Sequence, residues 1–417
     1  MKEYFVDLHV HIGRSSDGKA IKRGTSRELT FANIAYEARY RKGINVIGVV
    51  DCVSPWIIKD IEDMLERGDL EELPEGGMIY RDDLVILLGS EIETREKGGC
   101  HAHSLVFFPY LRQVRKFSRI MENYMPNLAE NSTMSRLSGQ QLFDIADSLG
   151  GFYMPAHAFT PHKSFYGNCT HSLHTVFDDD SFVKIPAVEL GLSADTYMAS
   201  LLSELDGKAF TSNSDAHSLL RIGREYNVMR LAALSYDEVL KALKSQDGRE
   251  IVANYGLNPK LGKYHRTFCL QCNQITELPP PVLQCPNDPG HRVVVGVRDR
   301  IEVIKDRHDS PGDMKVIKDC HEGPDDMRGR SDKKAPRAKR PPYRYQVPLN
   351  FLPGVGPKTI DKLLQAFGTE MNILHRVEPG DLAKVVPQSF VDLIVKGREG
   401  RLAIAHGGGG IYGKVLE

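Results

Sequence analysis

A chain of 417 residues with 41% hydrophobic and 26% charged content has room for two or three domains and a large buried core. Its formal net charge of −1 excludes a globally basic nucleic-acid binder, so any phosphate-seeking surface has to be local. No run approaches the ~20 apolar residues of a membrane span, Met1-Lys2-Glu3 opens no signal peptide, and seven cysteines are too few for a disulfide framework. A reduced, cytoplasmic setting without membrane contact is expected.

Up to about residue 258, apolar strand-like runs alternate with amphipathic helical stretches, which predicts a parallel α/β fold. A first strand closes at Asp7-Leu8-His9-Val10-His11, and further strands are expected at 44–50, 84–88, 105–108, 151–156 and 209–211. Helices are expected over Leu29–Tyr40, Ile57–Leu65, Gln140–Leu149, Tyr197–Leu205 and Tyr236–Leu243. Ser235 and Asp237 stand where an N-cap would start the last of these.

These strands meet His, Asp or Glu residues at their ends: Asp51, Glu91, His103, His157, and Asp215-Ala216-His217. Strand ends on one rim of a parallel β/α barrel converge, so residues far apart in sequence can share one pocket. His9 and His11 alternate by two and leave the same strand face. Imidazole and carboxylate are donors that divalent zinc, manganese or iron accept. The pattern predicts a multi-metal hydrolytic site, with Glu91 bridging two ions through its two oxygens and with Asp215 beside it as the second catalytic carboxylate. Asp17 and Asp51 read equally as turn residues or as partners orienting a histidine. Cys52 reads as a small buried residue, and His101 competes with His103 for the ligand position.

Next comes Cys269-Leu270-Gln271-Cys272, then Cys285 and His291. C-x-x-C aims two sulfurs at one tetrahedral zinc, so one structural zinc is expected, with His291 as fourth ligand and Cys320 or His321 as distant alternatives. Residues 306–344 read as a linker, basic at its end: Arg328–Arg344 carries eight Lys/Arg against Asp332 alone. From 345 onward, Phe351-Leu352-Pro353-Gly354-Val355-Gly356-Pro357-Lys358 leads into an apolar helix face, matching a helix-hairpin-helix motif. Gly354 and Gly356 allow close backbone approach to a DNA phosphate, and Lys358 adds charge. A plain helical hairpin is the bland alternative. The run Gly407–Gly413 fits either a flexible tail or backbone placed near the catalytic unit or DNA.

The fragments D-L-H-V-H, Val50-Asp51, Gly89-Ser90-Glu91, His103, Pro155-Ala156-His157 and Ser214-Asp215-Ala216-His217 resemble the PHP (polymerase and histidinol phosphatase) family of metal-dependent phosphoesterases over residues 1–258. The resemblance implies a distorted (β/α)7 barrel with two or three divalent ions (Zn, Mn, Fe or Mg) at its rim. His9, His11, Glu91 and Asp215 would hold one ion, and Glu91, His103 and His157 a second. Asp17 and His217 would hold a third. The chain departs from the pattern after Asp51, where Cys52-Val53-Ser54 stands in place of a nearby histidine.

The order of the three regions (259–305 as the zinc module, 345–417 as the hairpin unit and tail) resembles the endonuclease Q family. That resemblance implies a DNA repair endonuclease nicking double-stranded, and in some settings single-stranded, DNA. The cut would fall 5′ of deaminated bases (uracil, hypoxanthine, xanthine) and abasic sites, leaving a 3′-hydroxyl and a 5′-phosphate. The alternatives are an exonuclease, a phosphatase on a small phosphomonoester, or a non-catalytic DNA-binding scaffold. The segment 159–168 is expected to line a pocket for an extruded nucleotide, with Phe159, Phe165 and Tyr166 stacking and Lys163 near phosphate.

Overall fold

The computed structural model describes residues 1–130, 134–306 and 340–416. Cys320, His321 and most of the basic linker lie outside these residues. The fold is mixed α/β around a ten-stranded sheet. Its spine is β1 (Lys2–Val10), β2 (Val46–Val49), then β3 (Leu70–Glu72), β4 (Met78–Tyr80), β5 (Leu84–Arg95), β6 (His101–Phe108) and β7 (Phe152–Pro155). β1, β2 and β5 run parallel to one another, whereas β5–β6 and β6–β7 are antiparallel. The sheet is therefore mixed rather than purely parallel, because a short turn at 97–100 joins β5 to β6 with no crossover helix.

Two short strands, β8 (Ala187–Glu189) and β9 (Ala209–Thr211), pair in parallel, and β7 packs beside β8. The chain leaving β9 returns to β1 through a parallel bridge between Val10 and Ala216, which sets residues 213–217 against His9 and His11. On the other flank, β10 (Tyr226–Leu231) and β11 (Glu250–Gly256) extend the sheet antiparallel to β1. Tyr343–Tyr345, expected at the junction of linker and hairpin unit, pairs in parallel with β11 and so ties the C-terminal region into this sheet.

Val6 and Leu8 leave one face of β1 and join a core of Val46, Val85, Leu87, Leu105, Phe107 and Met154. Alternation then sends Asp7 and His9 to the opposite face. The helix at Pro55–Glu66 and the Tyr236–Leu243 helix form where expected, the latter capped by the Ser235 hydroxyl accepting from Glu238 N at 3.2 Å. The expected helix at 197–205 breaks into Thr196–Ala199 and a single turn at Ser203–Leu205. A helix not expected, Leu111–Met121, buries Leu111, Val114, Phe117 and Met121 at helical spacing. No helix among the described residues is long and apolar enough to cross a membrane.

Candidate metal centre and active site

His9 and His11 sit at and just beyond the end of β1. His9 Nδ1 lies 3.0 Å from Glu189 Oε1, and His11 Nδ1 lies 3.0 Å from Asp51 Oδ2. Each carboxylate claims a ring proton at Nδ1, which leaves the Nε2 lone pair facing inward. The two Nε2 atoms are 3.2 Å apart, and Asp215 Oδ1 stands 3.6 Å from that of His9 and 3.3 Å from that of His11. These three atoms converge with the Lys22 ammonium 3.0 Å from His11 Nε2, an arrangement of donors that a cation completes. Asp51 thus takes the orienting role, one of its two sequence readings.

Beside them, Glu91 Oε1 is 2.8 Å from His103 Nδ1 and 3.3 Å from His157 Nε2. Within each group, His9–His11–Asp215 and Glu91–His103–His157, the donor atoms lie within 4.8 Å of one another, a span that suits one divalent ion each. Glu91 also reaches the first group, 3.5 Å from His9 Nε2 and 3.6 Å from His11 Nε2 through its separate oxygens. Burial works against the charge of Glu91, yet His103, Lys22 and His11 hold its carboxyl well below the usual range. Asp215 is held low in the same way, against burial, by His9, His11 and His217.

Both Glu91 and His103 lie inside long strands rather than at strand ends. The apolar run stops at Leu88, but β5 continues through Ser90, Glu91, Glu93 and Thr94, polar residues buried on the way past the site. His157 (φ 28°) and Asp215 (φ 44°) occupy left-handed backbone. Such conformations cost about 1–3 kcal/mol each and gather where a side chain must be aimed. The His157 amide donates to Glu189 Oε2 at 2.7 Å. Beside it, Gly191 (φ 74°) has room for no side chain, since a Cβ would fall 2.8 Å from that of His157.

The third expected ligand pair does not assemble. Asp17 is exposed, accepting from Ser15 at 2.5 Å and pairing with Lys19 at 3.0 Å, with no contact to His217. The turn at 15–19 satisfies its carboxylate locally, so Asp17 is corrected from ligand to turn residue. His217 does reach the centre: its ring centroid is 4.6 Å from that of His11, and burial together with the His11 charge pushes its imidazole down to about 4. Cys52 is fully buried and donates to the Val49 carbonyl at 3.3 Å. His101 pairs with Glu93 at 3.1 Å, leaving His103 to meet Glu91.

Sequence reasoning missed Glu189, Glu93 and Lys22. Glu189 ends Pro186-Ala187-Val188, the same apolar-run-then-carboxylate signature as Asp51, in a run too short to stand out. Lys22 Nζ sits 2.5 Å from Glu91 Oε2 and 3.0 Å from His11 Nε2, and no spacing rule announces it.

A cavity of about 180 Å³ opens directly off the centre, lined by His157, Glu189, Asp215, Lys263, Tyr264 and Tyr412. Tyr412 arrives from the Gly-rich segment, which is no free tail. Ile404–Ala405 pairs with Lys414–Val415, and the Gly407 amide donates to the Lys260 carbonyl at 2.7 Å. Gly409 (φ 60°) is required because a Cβ there would lie 2.6 Å from the Phe268 ring. Arg224 donates to the Tyr412 hydroxyl at 3.0 Å and to the Ser214 carbonyl at 2.7 Å, which joins this hairpin to the Asp215 loop.

The expected stacking residues do not line this cavity. Phe159, Phe165 and Tyr166 are buried in the core, Tyr166 stacked on Phe159 at 5.1 Å with its hydroxyl donating to Glu204 at 2.6 Å. Tyr166 is thus corrected from base contact to packing residue; an aromatic run offers burial as readily as stacking. Lys163 is exposed, 2.8 Å from Glu93.

Farther along the chain, Cys269, Cys272, Cys285 and His291 bring their donor atoms within 4.8 Å of one another. His291 Nδ1 is 3.3 Å from Cys272 Sγ, which itself lies 3.7 Å from Cys285 Sγ. The soft, closed donor set suits a structural zinc. In the C-terminal unit, Gly354 (φ 73°) and Gly356 lead into the helix Pro357–Phe367, whose N-terminus has no side-chain cap and carries the exposed Lys358. Pro357 brings no amide proton, and the Thr359 and Ile360 amides donate to the Gly356 carbonyl at 3.0 and 3.1 Å.

No family model matches the sequence. Over 420 residues the chain is 42% identical to the uncharacterized protein YqxK of Bacillus subtilis (strain 168), covering 100% of both. It is 33% identical over 281 residues to the uncharacterized protein MJ0043 of Methanocaldococcus jannaschii, covering 62% of this chain and 31% of that one. The crystal structure of the novel lesion-specific endonuclease PfuEndoQ from Pyrococcus furiosus matches with a TM-score of 0.78 at 29% identity, over 99% of this chain and 95% of the other. Endonuclease Q in complex with a 27-mer duplex substrate, an abasic lesion at its active site, matches equally, over 99% and 96%. The chain is 42% identical to YqxK over the full length of both, matches both endonuclease Q structures over 99% of its own length, and belongs to the endonuclease Q family.

Proposed function

We propose that this protein is a DNA repair endonuclease that nicks duplex DNA 5′ of abasic sites and of deaminated bases (uracil, hypoxanthine, xanthine). The products would be a 3′-hydroxyl and a 5′-phosphate. The observation that carries the reading is that cation-ready cluster and cavity share walls: His157, Glu189 and Asp215 line the cavity while belonging to, or orienting, the cluster. Two divalent ions, one held by His9, His11 and Asp215 and one by Glu91, His103 and His157, would supply an activated water and offset phosphate charge.

The chain's own groups do the rest. Glu91 is sunken and ionised between the two donor groups, so it fixes their spacing. The Asp215 side chain is 31% exposed and opens to the cavity, where a scissile phosphate would arrive. Tyr264 and Tyr412 line the cavity that an extruded nucleotide would enter, and Lys263 Nζ, 4.7 Å over the Tyr412 ring centroid, carries charge for a flanking phosphate. The turn at Gly354 and Gly356 and the exposed cation of Lys358 would meet the DNA backbone, a contact that positions without reading sequence.

The same reading assigns residues 1–258 to catalysis, 259–305 to a zinc module, 306–344 to a linker and 345–417 to DNA contact, in a cytoplasmic protein. The return of the chain from β9 to β1 and the packing of β7 beside β8 support closure of the catalytic strands into a distorted (β/α)7 barrel. Incubation of covalently closed DNA bearing one uracil or one abasic site, against undamaged DNA, with manganese, magnesium or zinc, tests the function. One nick 5′ of the lesion is expected; attack on undamaged circles, or action confined to free ends or small phosphomonoesters, overturns it.

A further inference from the structure

We infer that the loop from Arg14 to Arg27 is a contact surface for the DNA strand running 5′ from the scissile phosphate, with Arg23 and Arg27 set against its backbone. This rests on the endonuclease reading and adds the path of the cut strand. The loop follows β1 and closes over one flank of the centre. Its Lys22 Nζ is 3.0 Å from His11 Nε2, and the Ser26 amide donates to the His217 carbonyl at 2.9 Å. The cavity opens from the other flank, through His157, Glu189 and Asp215, and neither His11 nor His217 is among its walls. A cut 5′ of a lesion makes the scissile phosphate the lesion nucleotide's own 5′-phosphate. With sugar and base on the cavity side, the strand upstream of that phosphate leaves the centre across the opposite flank, where the loop stands.

The charge of the loop fits that strand. From Arg14 to Arg27 it has five cations and one acid, Asp17, in a chain whose formal net charge is −1. Lys19 neutralises Asp17 at 3.0 Å, and Lys22 is turned inward to Glu91 at 2.5 Å. Among the described residues, no carboxylate stands within ion-pair distance of Arg14, Arg23 or Arg27, and Arg23 and Arg27 are exposed. Their guanidinium groups are therefore available for charge-assisted bonds to phosphate oxygens. The backbone beneath them is fixed. The Gly13 amide donates to the Leu29 carbonyl at 2.8 Å, and the Ile21 amide to the Gly13 carbonyl at 2.9 Å. Gly13 runs so close to the far end of the loop that a Cβ on it would fall 1.9 Å from the Ser26 carbonyl oxygen. A loop held this way before binding loses little freedom when it meets a phosphate.

Salt titration of binding tests this apart from nicking. Full-length protein, as purified, is titrated onto a duplex with one abasic site, and affinity is read by fluorescence anisotropy across a range of salt. Each lost phosphate contact lowers the slope of log affinity against log salt by about 1. Arg23→Ala combined with Arg27→Ala is therefore expected to lower it by about 2, whereas Arg23→Lys combined with Arg27→Lys keeps it. Uncharged methylphosphonates at the phosphates immediately 5′ of the scissile one should weaken binding by the wild type and leave the double alanine variant unaffected. An unchanged slope in that variant overturns the inference. So does insensitivity of the variant to methylphosphonates 3′ of the lesion or in the complementary strand in place of those upstream. Wild type that shows the expected binding pattern yet never nicks the duplex refutes the endonuclease reading and leaves the loop contact standing.

Discussion

His9 and His11 point their Nε2 atoms at each other across 3.2 Å because Glu189 and Asp51 hold the far nitrogen of each ring. Glu189 additionally accepts from the His157 amide and from the Asn213 side chain at 2.8 Å, so one carboxylate orients parts of both donor groups. Partners of this kind change metal affinity by about 10–100-fold when removed. Glu189→Gln is expected to weaken manganese binding by that order, read by titration against a competing chelator. Unchanged affinity in a folded variant would remove Glu189 from the site.

Asp215 is the least buried member of its group, its side chain 31% exposed, and belongs to no hydrophobic core. Asp215→Asn keeps the shape and removes the negative donor. Nicking of lesion-bearing DNA should be abolished while binding to the same duplex, measured by fluorescence anisotropy, persists. Retained cleavage with metal present rules out the assigned role.

How far these residues could be foreseen follows from what a one-dimensional pattern encodes. His9 and His11 announce themselves by period two on a strand, and His157 and Asp215 by standing just past apolar runs. Glu91 was visible as a residue but misplaced at a strand end, because a strand buried on both faces near a polar site carries no hydrophobic alternation there. The antiparallel turn from β5 into β6 was equally hidden, since Glu96–Cys100 reads as a loop of any kind. Lys22 and Tyr412 come from loops whose endpoints are fixed by long-range amide contacts, to Gly13 and Lys260 among others, and local sequence does not record such contacts.

The fate of Tyr166 shows the same limit and yields its own test. Its ring is fully buried on Phe159 and its hydroxyl is bonded to Glu204. Tyr166→Ala should therefore cost on the order of 3–5 kcal/mol of stability, as other buried aromatic truncations do. Tyr166→Phe, which keeps the ring, should leave discrimination between uracil and abasic DNA unaltered. A change in that discrimination without loss of thermal stability would return Tyr166 to the substrate.

Docking of the C-terminal unit depends on a buried ion pair. Lys42 Nζ lies 2.6 Å from Glu370 Oε2 and donates to the Leu220 carbonyl at 3.0 Å, while Glu370 Oε1 accepts from the Leu349 amide at 2.8 Å. Both side chains are at most 6% exposed. Lys42→Met strands a buried carboxylate, for which about 3–5 kcal/mol of destabilisation is expected. Adding Glu370→Gln restores a neutral partner that still accepts from Leu349, so the double variant should be more stable than the single one in urea unfolding. An additive or larger loss would mean that the pair does not act as a unit.

His375 gives the same junction a pH dependence whose sign can be worked out. Its Nε2 is 2.6 Å from the Tyr226 hydroxyl, and its ring packs 4.8 Å from Phe5 and 4.9 Å from Tyr255. Burial, reinforced by Arg398, Arg376 and Arg344, pushes the imidazole down to about 4. In the unfolded chain it would titrate near ~6.5. Between those values the unfolded state binds the extra proton, so stability is full above ~6.5, declines as pH falls toward 4, and levels off below. One such group contributes a slope of up to about 1.4 kcal/mol per pH unit in that window. His265 is depressed to about 4 as well, so other histidines add to the slope. His375→Gln, which can still meet the Tyr226 hydroxyl, is expected to lower the slope by one proton's worth in urea melts between pH 4 and 7. An identical slope would show that His375 titrates as a solvated imidazole and that the ring cluster around it opens in solution.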